Sequence, residues 1–274
     1  MGAMARRDGD PVTSVDLGRY PRRSMTVYLS HATSFCGAVW NPVRSRLSDV
    51  DTVAWDHPGH GRGPKLDLPV DWRRFGQHVL EVTEPGGIGV GHSMGGAALV
   101  MAQAADPERF RALVLIEPII FPAPFAREER DEMASTAERR KAVFASRQEA
   151  ADNFRGRGPF AGWVDEAFDA YIDCGLIGDD ELRLACAPEV EADIYRAWRD
   201  HDTWDKLASI DVPVLVMAGD HSDTITPDHA RALAARFPSA GFEIVADTGH
   251  FLPMERPDLV AERVRRFVEV AATG

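Results

Sequence analysis

The sequence predicts an α/β fold: a mostly parallel central sheet flanked by helices, with a helical lid inserted between two strands. Three features predict it. Short apolar runs alternate with helical patterns up to about residue 121, as strands and crossover helices do in a parallel sheet. The same alternation resumes after residue 205. Between 122 and 205 the texture changes to charged, helix-favouring segments with spaced aromatics and no convincing strand. The expected organisation is a core domain of 1–121 and 206–274 carrying a lid of 122–205.

In chain order, 25–29 reads as the first strand and opens into a loop at Ser30 and His31. The next strand, 50–55, is stopped by the turn Asp56-His57-Pro58-Gly59-His60-Gly61. A helix over 72–82 follows, then a short buried strand at 87–90, a buried helix around 97–102 and a strand at 112–116. In the insert, Phe144, Phe154, Phe160, Trp163, Phe168, Tyr171, Tyr195, Trp198 and Trp204 are expected mostly to pack it against the sheet. The functional alternative is that several of them line an apolar pocket above the site. Beyond it come a strand at 212–218, a helix at 227–237 and a strand at 242–246. A closing helix over 257–271 carries Leu259, Val260, Val264, Phe267 and Val268 on its apolar side.

Composition bounds the partners. Lys and Arg number 31 against 43 Asp and Glu, a formal charge of −12, which opposes nucleic acid and anionic membrane surfaces. Neither is expected as a partner. The longest apolar stretch, about 112–121, is interrupted by Glu117 and Pro118 and is too short to span a bilayer. Residues 1–10 are polar and charged, unlike a signal peptide, so a cytoplasmic location is expected. Cys36, Cys174 and Cys186 have neither metal nor redox spacing and read as three reduced thiols. His57 and His60 lie in a turn broken by Pro58 and Gly59, with no carboxylate cluster nearby, so no metal and no cofactor are expected. Oligomeric state leaves no mark in the sequence.

Chemistry concentrates at Gly91-His92-Ser93-Met94-Gly95-Gly96. A strand precedes it and a helix follows, so the chain must reverse within a few residues. The glycines remove Cβ atoms that would clash there, and the serine is forced into a sparsely populated backbone region. A serine hydroxyl becomes nucleophilic when a histidine takes its proton and an acid orients that histidine. In a parallel sheet such groups collect beyond the carboxyl ends of strands. His250 follows the last strand and is the candidate base. The loop Gly219-Asp220-His221-Ser222-Asp223 offers two acids: Asp220, placed to tie down loop amides, and Asp223, deeper in the loop and favoured. Glu117, at the end of the 112–116 strand, is the other rival.

From about residue 24 onward the chain resembles the α/β-hydrolase fold superfamily. Ser93, Asp223 and His250 stand in that family's order of Ser, Asp, His. The Asp-x-x-Gly-x-Gly turn at 56–61 and the Gly-His-x-x-x-x-Glu-x-Pro run at 249–257 are further marks. The loop His31-Ala32-Thr33-Ser34-Phe35-Cys36-Gly37 is similar to a His-Ala-Thr/Asn-Gly-Phe variant of esterase-like members, with Ser34 in the glycine's place. The resemblance implies an oxyanion hole from the N–H groups of Thr33 and Met94, with Phe35 the alternative to Thr33. His31, Phe35, Trp40, His92, Trp163 and Phe251 are the expected pocket residues. It implies hydrolysis of a small or medium carboxylic ester, lactone or thioester with an apolar body. Carbon–carbon bond hydrolysis and cofactor-free perhydrolysis are the alternatives on the same residues. A ligand-binding receptor on a hydrolase scaffold is the alternative from another class. Epoxide hydrolysis and dehalogenation are disfavoured, because those relatives carry an aspartate where Ser93 stands.

Overall fold

A computed structural model describes residues 25–123, 128–198 and 200–273. The charged segment 1–10, read above as unlike a signal peptide, lies outside the described residues. The first part of the core runs β1 (Val27–Ser30), α1 (Asn41–Arg46), β2 (Thr52–Ala54), α2 (Arg73–Val82), β3 (Gly87–His92), α3 (Met94–Ala105) and β4 (Phe110–Ile116). The insert holds α4 (Glu128–Glu138), β5 (Val143–Phe144), α5 (Arg147–Phe154), α6 (Asp165–Cys174), β6 (Leu176–Ile177), β7 (Leu182–Leu184), α7 (Pro188–Ala197) and α8 (Thr203–Lys206). The core closes with β8 (Val214–Gly219), α9 (Pro227–Ala234), β9 (Ala240–Val245), α10 (Leu252–Glu255) and α11 (Pro257–Thr273).

Six strands form one parallel sheet in the order β2-β1-β3-β4-β8-β9. β3 and β4 lie centrally and every residue of both is buried, so they read as continuous apolar runs rather than alternating ones. Successive β4 side chains still divide between the faces. Ala112, Val114 and Ile116 join an apolar cluster with Val27, Ile88 and Val264 of α11, while Leu113 and Leu115 join Leu99 of α3 and Val214 on the other side. α3 is buried nearly all round, which explains its uniformly apolar sequence.

Two expectations need correction. The insert is not all helical: β5, β7 and β6 form a three-stranded antiparallel sheet. Strands of two or three residues are too short to show alternation, and the β6–β7 turn depends on the left-handed Gly178 (φ 112°). Nor are all three cysteines reduced. Cys36, just after the His31–Phe35 loop, is disulfide-bonded to Cys174 at the end of α6, with Cα atoms 6.3 Å apart. The two are 138 residues apart, and only the folding of the insert over β1 brings them together. Cys186 is a buried free thiol. No helix among the described residues is long and apolar enough to cross a membrane.

Candidate active site

Ser93 sits between β3 and α3 with φ 55° and ψ −118°. Such a backbone costs on the order of 1–3 kcal/mol and persists because its surroundings over-determine it. A Cβ on Gly95 would lie 2.3 Å from the Ser30 carbonyl oxygen, and one on Gly91 would lie 2.7 Å from that of Gly95. Glycine alone lets α3 start this close to β1 and β3. The Ser93 N–H donates to Ile116 O (2.9 Å), and its carbonyl accepts from the amides of Gly96 and Ile119 (3.0 and 3.2 Å). The turn at Ser93 is thereby tied to the end of β4.

His250 lies on the loop after β9. Its Nδ1–H donates to Glu117 Oε2 at 3.0 Å, which leaves the Nε2 lone pair facing Ser93 Oγ at 3.2 Å. The Glu117 side chain is completely buried. It starts from a left-handed backbone (φ 51°) directly after β4 and also accepts from Gly219 N–H and the Ser222 hydroxyl (2.8 and 2.6 Å). The acid in contact with His250 is therefore Glu117 and not Asp223. Asp223 is exposed and, among the described residues, accepts only from its neighbour's hydroxyl, Thr224 Oγ1 (3.1 Å). The reason is local: Ser222 Oγ gathers the amides of Thr224 and Ile225, which turns residue 222 inward and 223 outward. Asp220 accepts a long bond from Thr248 N (3.4 Å), the loop-tying role weighed for it from the sequence.

The loop after β1 takes its shape from several fixed contacts. Ser34 is left-handed (φ 72°), and the Phe35 N–H closes a turn onto Ala32 O (3.3 Å). That bond occupies the Phe35 amide. Among the described residues no hydrogen bond ends on the Thr33 or Met94 amide, and Met94 opens α3, where N–H groups lack helical partners. Asp56 of the turn after β2 accepts from Gly37 N and Arg62 N, both at 2.7 Å. Glu255, from the 249–257 run, accepts from Gly249 N at 2.9 Å, beside His250.

The expected pocket residues divide into two groups. Phe35, Trp163 and Phe251 meet next to His250, with ring centroids 5.0 to 6.1 Å apart, and Tyr171 joins them against Phe35. His31, Trp40 and His92 are buried, and the His92 ring lies 6.2 Å from that of Phe251. Trp40 is 1 % exposed and lies in the core. His31 donates from Nδ1 to Ala32 O and accepts His57 N–H at Nε2, so both its nitrogens are engaged. His92 Nε2–H donates to His250 O (2.8 Å), and burial holds its imidazole well below the usual histidine range, hence neutral. A cavity of about 480 Å³ beside Trp72 and His201 includes none of these residues.

The alpha/beta hydrolase family matches residues 27–263. The chain belongs to that family. Among curated relatives, this alpha/beta hydrolase is 24% identical to Esterase YbfF of Escherichia coli, a match covering 82% of the chain and 85% of that protein. It is 26% identical to the Non-heme chloroperoxidase of Streptomyces lividans, covering 98% and 100%. Among solved structures, the peroxisomal alpha-beta-hydrolase Lpx1 of Saccharomyces cerevisiae superposes with a TM-score of 0.77 at 17% identity, covering 92% of this chain and 79% of that one. At that identity the likeness is one of fold.

Ser222 and the Gly219 amide carry no signal that sequence reading could have used. Glu117 does carry one: it is a carboxylate placed at a strand end inside an otherwise apolar run.

Proposed function

We propose that this alpha/beta hydrolase is a serine hydrolase that cleaves a small or medium carboxylic ester, lactone or thioester with an apolar body. One observation carries the reading: the unbroken path from Ser93 Oγ through His250 to Glu117, at 3.2 and 3.0 Å. Ser93 Oγ attacks the carbonyl carbon while His250 Nε2 takes its proton. The Glu117 carboxylate stabilises the imidazolium that forms. The amides of Thr33 and Met94, without partners among the described residues, hold the oxyanion. The imidazolium then protonates the leaving alcohol or thiol, and a water deprotonated by His250 hydrolyses the acyl-enzyme. Phe35, Trp163 and Phe251 supply apolar surface for the substrate body. The test is mass spectrometry after a fluorophosphonate probe, beside turnover of p-nitrophenyl esters of graded chain length. The expected adduct is on Ser93 and disappears in Ser93→Ala. No adduct on folded protein, or one elsewhere, overturns the reading.

Cofactor-free perhydrolysis is a second reading, favoured by the match along the whole length of the Streptomyces chloroperoxidase. It uses the same residues, with peroxide in place of water as the acyl acceptor. Peracid formation from acetate and hydrogen peroxide, measured beside ester hydrolysis, separates the two.

A further inference from the structure

Ser222 enters the site from the loop after β8, at a position that neither charge nor motif marks. Its Oγ accepts the Thr224 amide at 3.2 Å and the Ile225 amide at 3.1 Å, and lies 2.6 Å from Glu117 Oε2. A hydroxyl has one proton and two lone pairs. Both lone pairs are taken, so the proton has a single direction left, onto Glu117. The oxygen it meets is the one that receives His250 Nδ1–H, while the other, Oε1, is held by Gly219 N–H at 2.8 Å. Two donors from one loop thus pin both oxygens of a carboxylate that no solvent reaches.

We infer that Ser222 is a positioning residue for the reaction, its hydroxyl holding the Glu117 carboxylate in the orientation and charge distribution that His250 requires. The inference rests on the serine-hydrolase reading above. Without the Ser222 proton, negative charge concentrates on Oε2. The His250–Glu117 pair then binds a proton more readily, and His250 is lost as a base at a higher pH.

Other titratable groups on the surrounding elements leave Glu117 alone. The His92 ring of β3 lies 5.1 Å from that of His250, tilted by 45°, and bonds the His250 carbonyl. In the β8 loop, Asp220 bonds Thr248 N, His221 lies 3.9 Å from Asp220, and Asp223 faces solvent. Asp247 after β9 is exposed, and Glu255 of α10 bonds Gly249 N. None of these hydrogen-bonds Glu117.

The experiment compares wild type, Ser222→Ala and Ser222→Thr in two ways: the pH profile of kcat/KM on a p-nitrophenyl ester, and the NMR titration of the His250 imidazole. In Ser222→Ala both midpoints are expected to rise by about one pH unit, with kcat reduced on the order of tenfold. Ser222→Thr, which keeps the hydroxyl, is expected to restore both. Unmoved midpoints in a folded Ser222→Ala protein overturn the inference, because loss of loop packing alone lowers stability without shifting them. Failure of Ser222→Thr to restore the midpoints overturns it too. If Ser222→Ala does not fold, Ser222→Cys, with its weaker donor, gives a smaller rise in the same direction, and no rise overturns the inference. A wild type without turnover or Ser93 adduct defeats the hydrolase reading, while the NMR titration still decides what Ser222 does to the pair.

Discussion

Glu117 combines full burial, a left-handed backbone and three hydrogen-bond donors, so few side chains can take its place. Glu117→Gln removes the charge that balances the imidazolium and breaks the acceptor pattern that selects the His250 tautomer. The expected loss is about 10⁴-fold in kcat. Asp223→Asn alters an exposed carboxylate that touches nothing in the site, and kcat/KM is expected to stay at the wild-type value. Steady-state kinetics of the two variants on one ester checks the assignment, and the opposite ranking would return the acid to the β8 loop. Phe35 illustrates a different residue-scale choice. Its amide is committed to Ala32 O, which is why the proposed mechanism takes its oxyanion donor on that loop from Thr33.

Between elements, the loop after β1 and helix α6 act as a unit. The Cys36–Cys174 bond joins them covalently, and Tyr171, one turn before Cys174, packs its ring 5.7 Å from that of Phe35. The insert therefore braces the loop carrying Thr33 as well as covering it. A disulfide typically stabilises a fold by about 2–4 kcal/mol. Cys174→Ser is expected to lower Tm by about 5–10 °C in a calorimetric scan. Thiol titration of the unfolded, unreduced protein should count one thiol, Cys186, and three after reduction. Three thiols before reduction would rule the bond out.

Across the whole molecule, stability is expected to decline in acid through a cluster of buried histidines beneath the site. The His31 ring lies 4.9 Å from His57 and 5.2 Å from His60, and His57 lies 6.0 Å from His78. Burial lowers His31 to about 4 and His60 to about 3, and drives His57 well below its usual range, with neighbouring imidazoles adding to the effect. In the unfolded chain these groups take up protons near pH 6.5. Below that pH the unfolded state binds more protons than the native one, so unfolding becomes easier. Their stabilising contribution is complete above about pH 6.5 and is lost as pH falls from there toward 4 and 3. Urea midpoints at pH 8, 6 and 5 are expected to fall in that order, and His60→Asn should flatten the trend. Equal midpoints at all three would exclude the mechanism.

The sequence by itself determined the parallel sheet, the serine at its strand-to-helix turn and the histidine after its last strand. These are local matters. An apolar run that fits a buried strand, and glycines where a helix must start against a strand, are legible within ten residues. Asp56 and Glu255 were visible as parts of short motifs for the same reason, since each binds amides close by in the chain or its adjoining loop. Only the tertiary structure decided which carboxylate meets His250, which cysteines pair and that the insert carries a sheet. The acid depends on strand order. Pairing of β4 with both β3 and β8, with Ile116 beside His92 and Met217, puts Glu117 between the serine and the β8 loop. The turn built on Ser222 then faces Asp223 to water. No spacing along the chain encodes that neighbourhood, because it is made by contacts between residues more than a hundred positions apart.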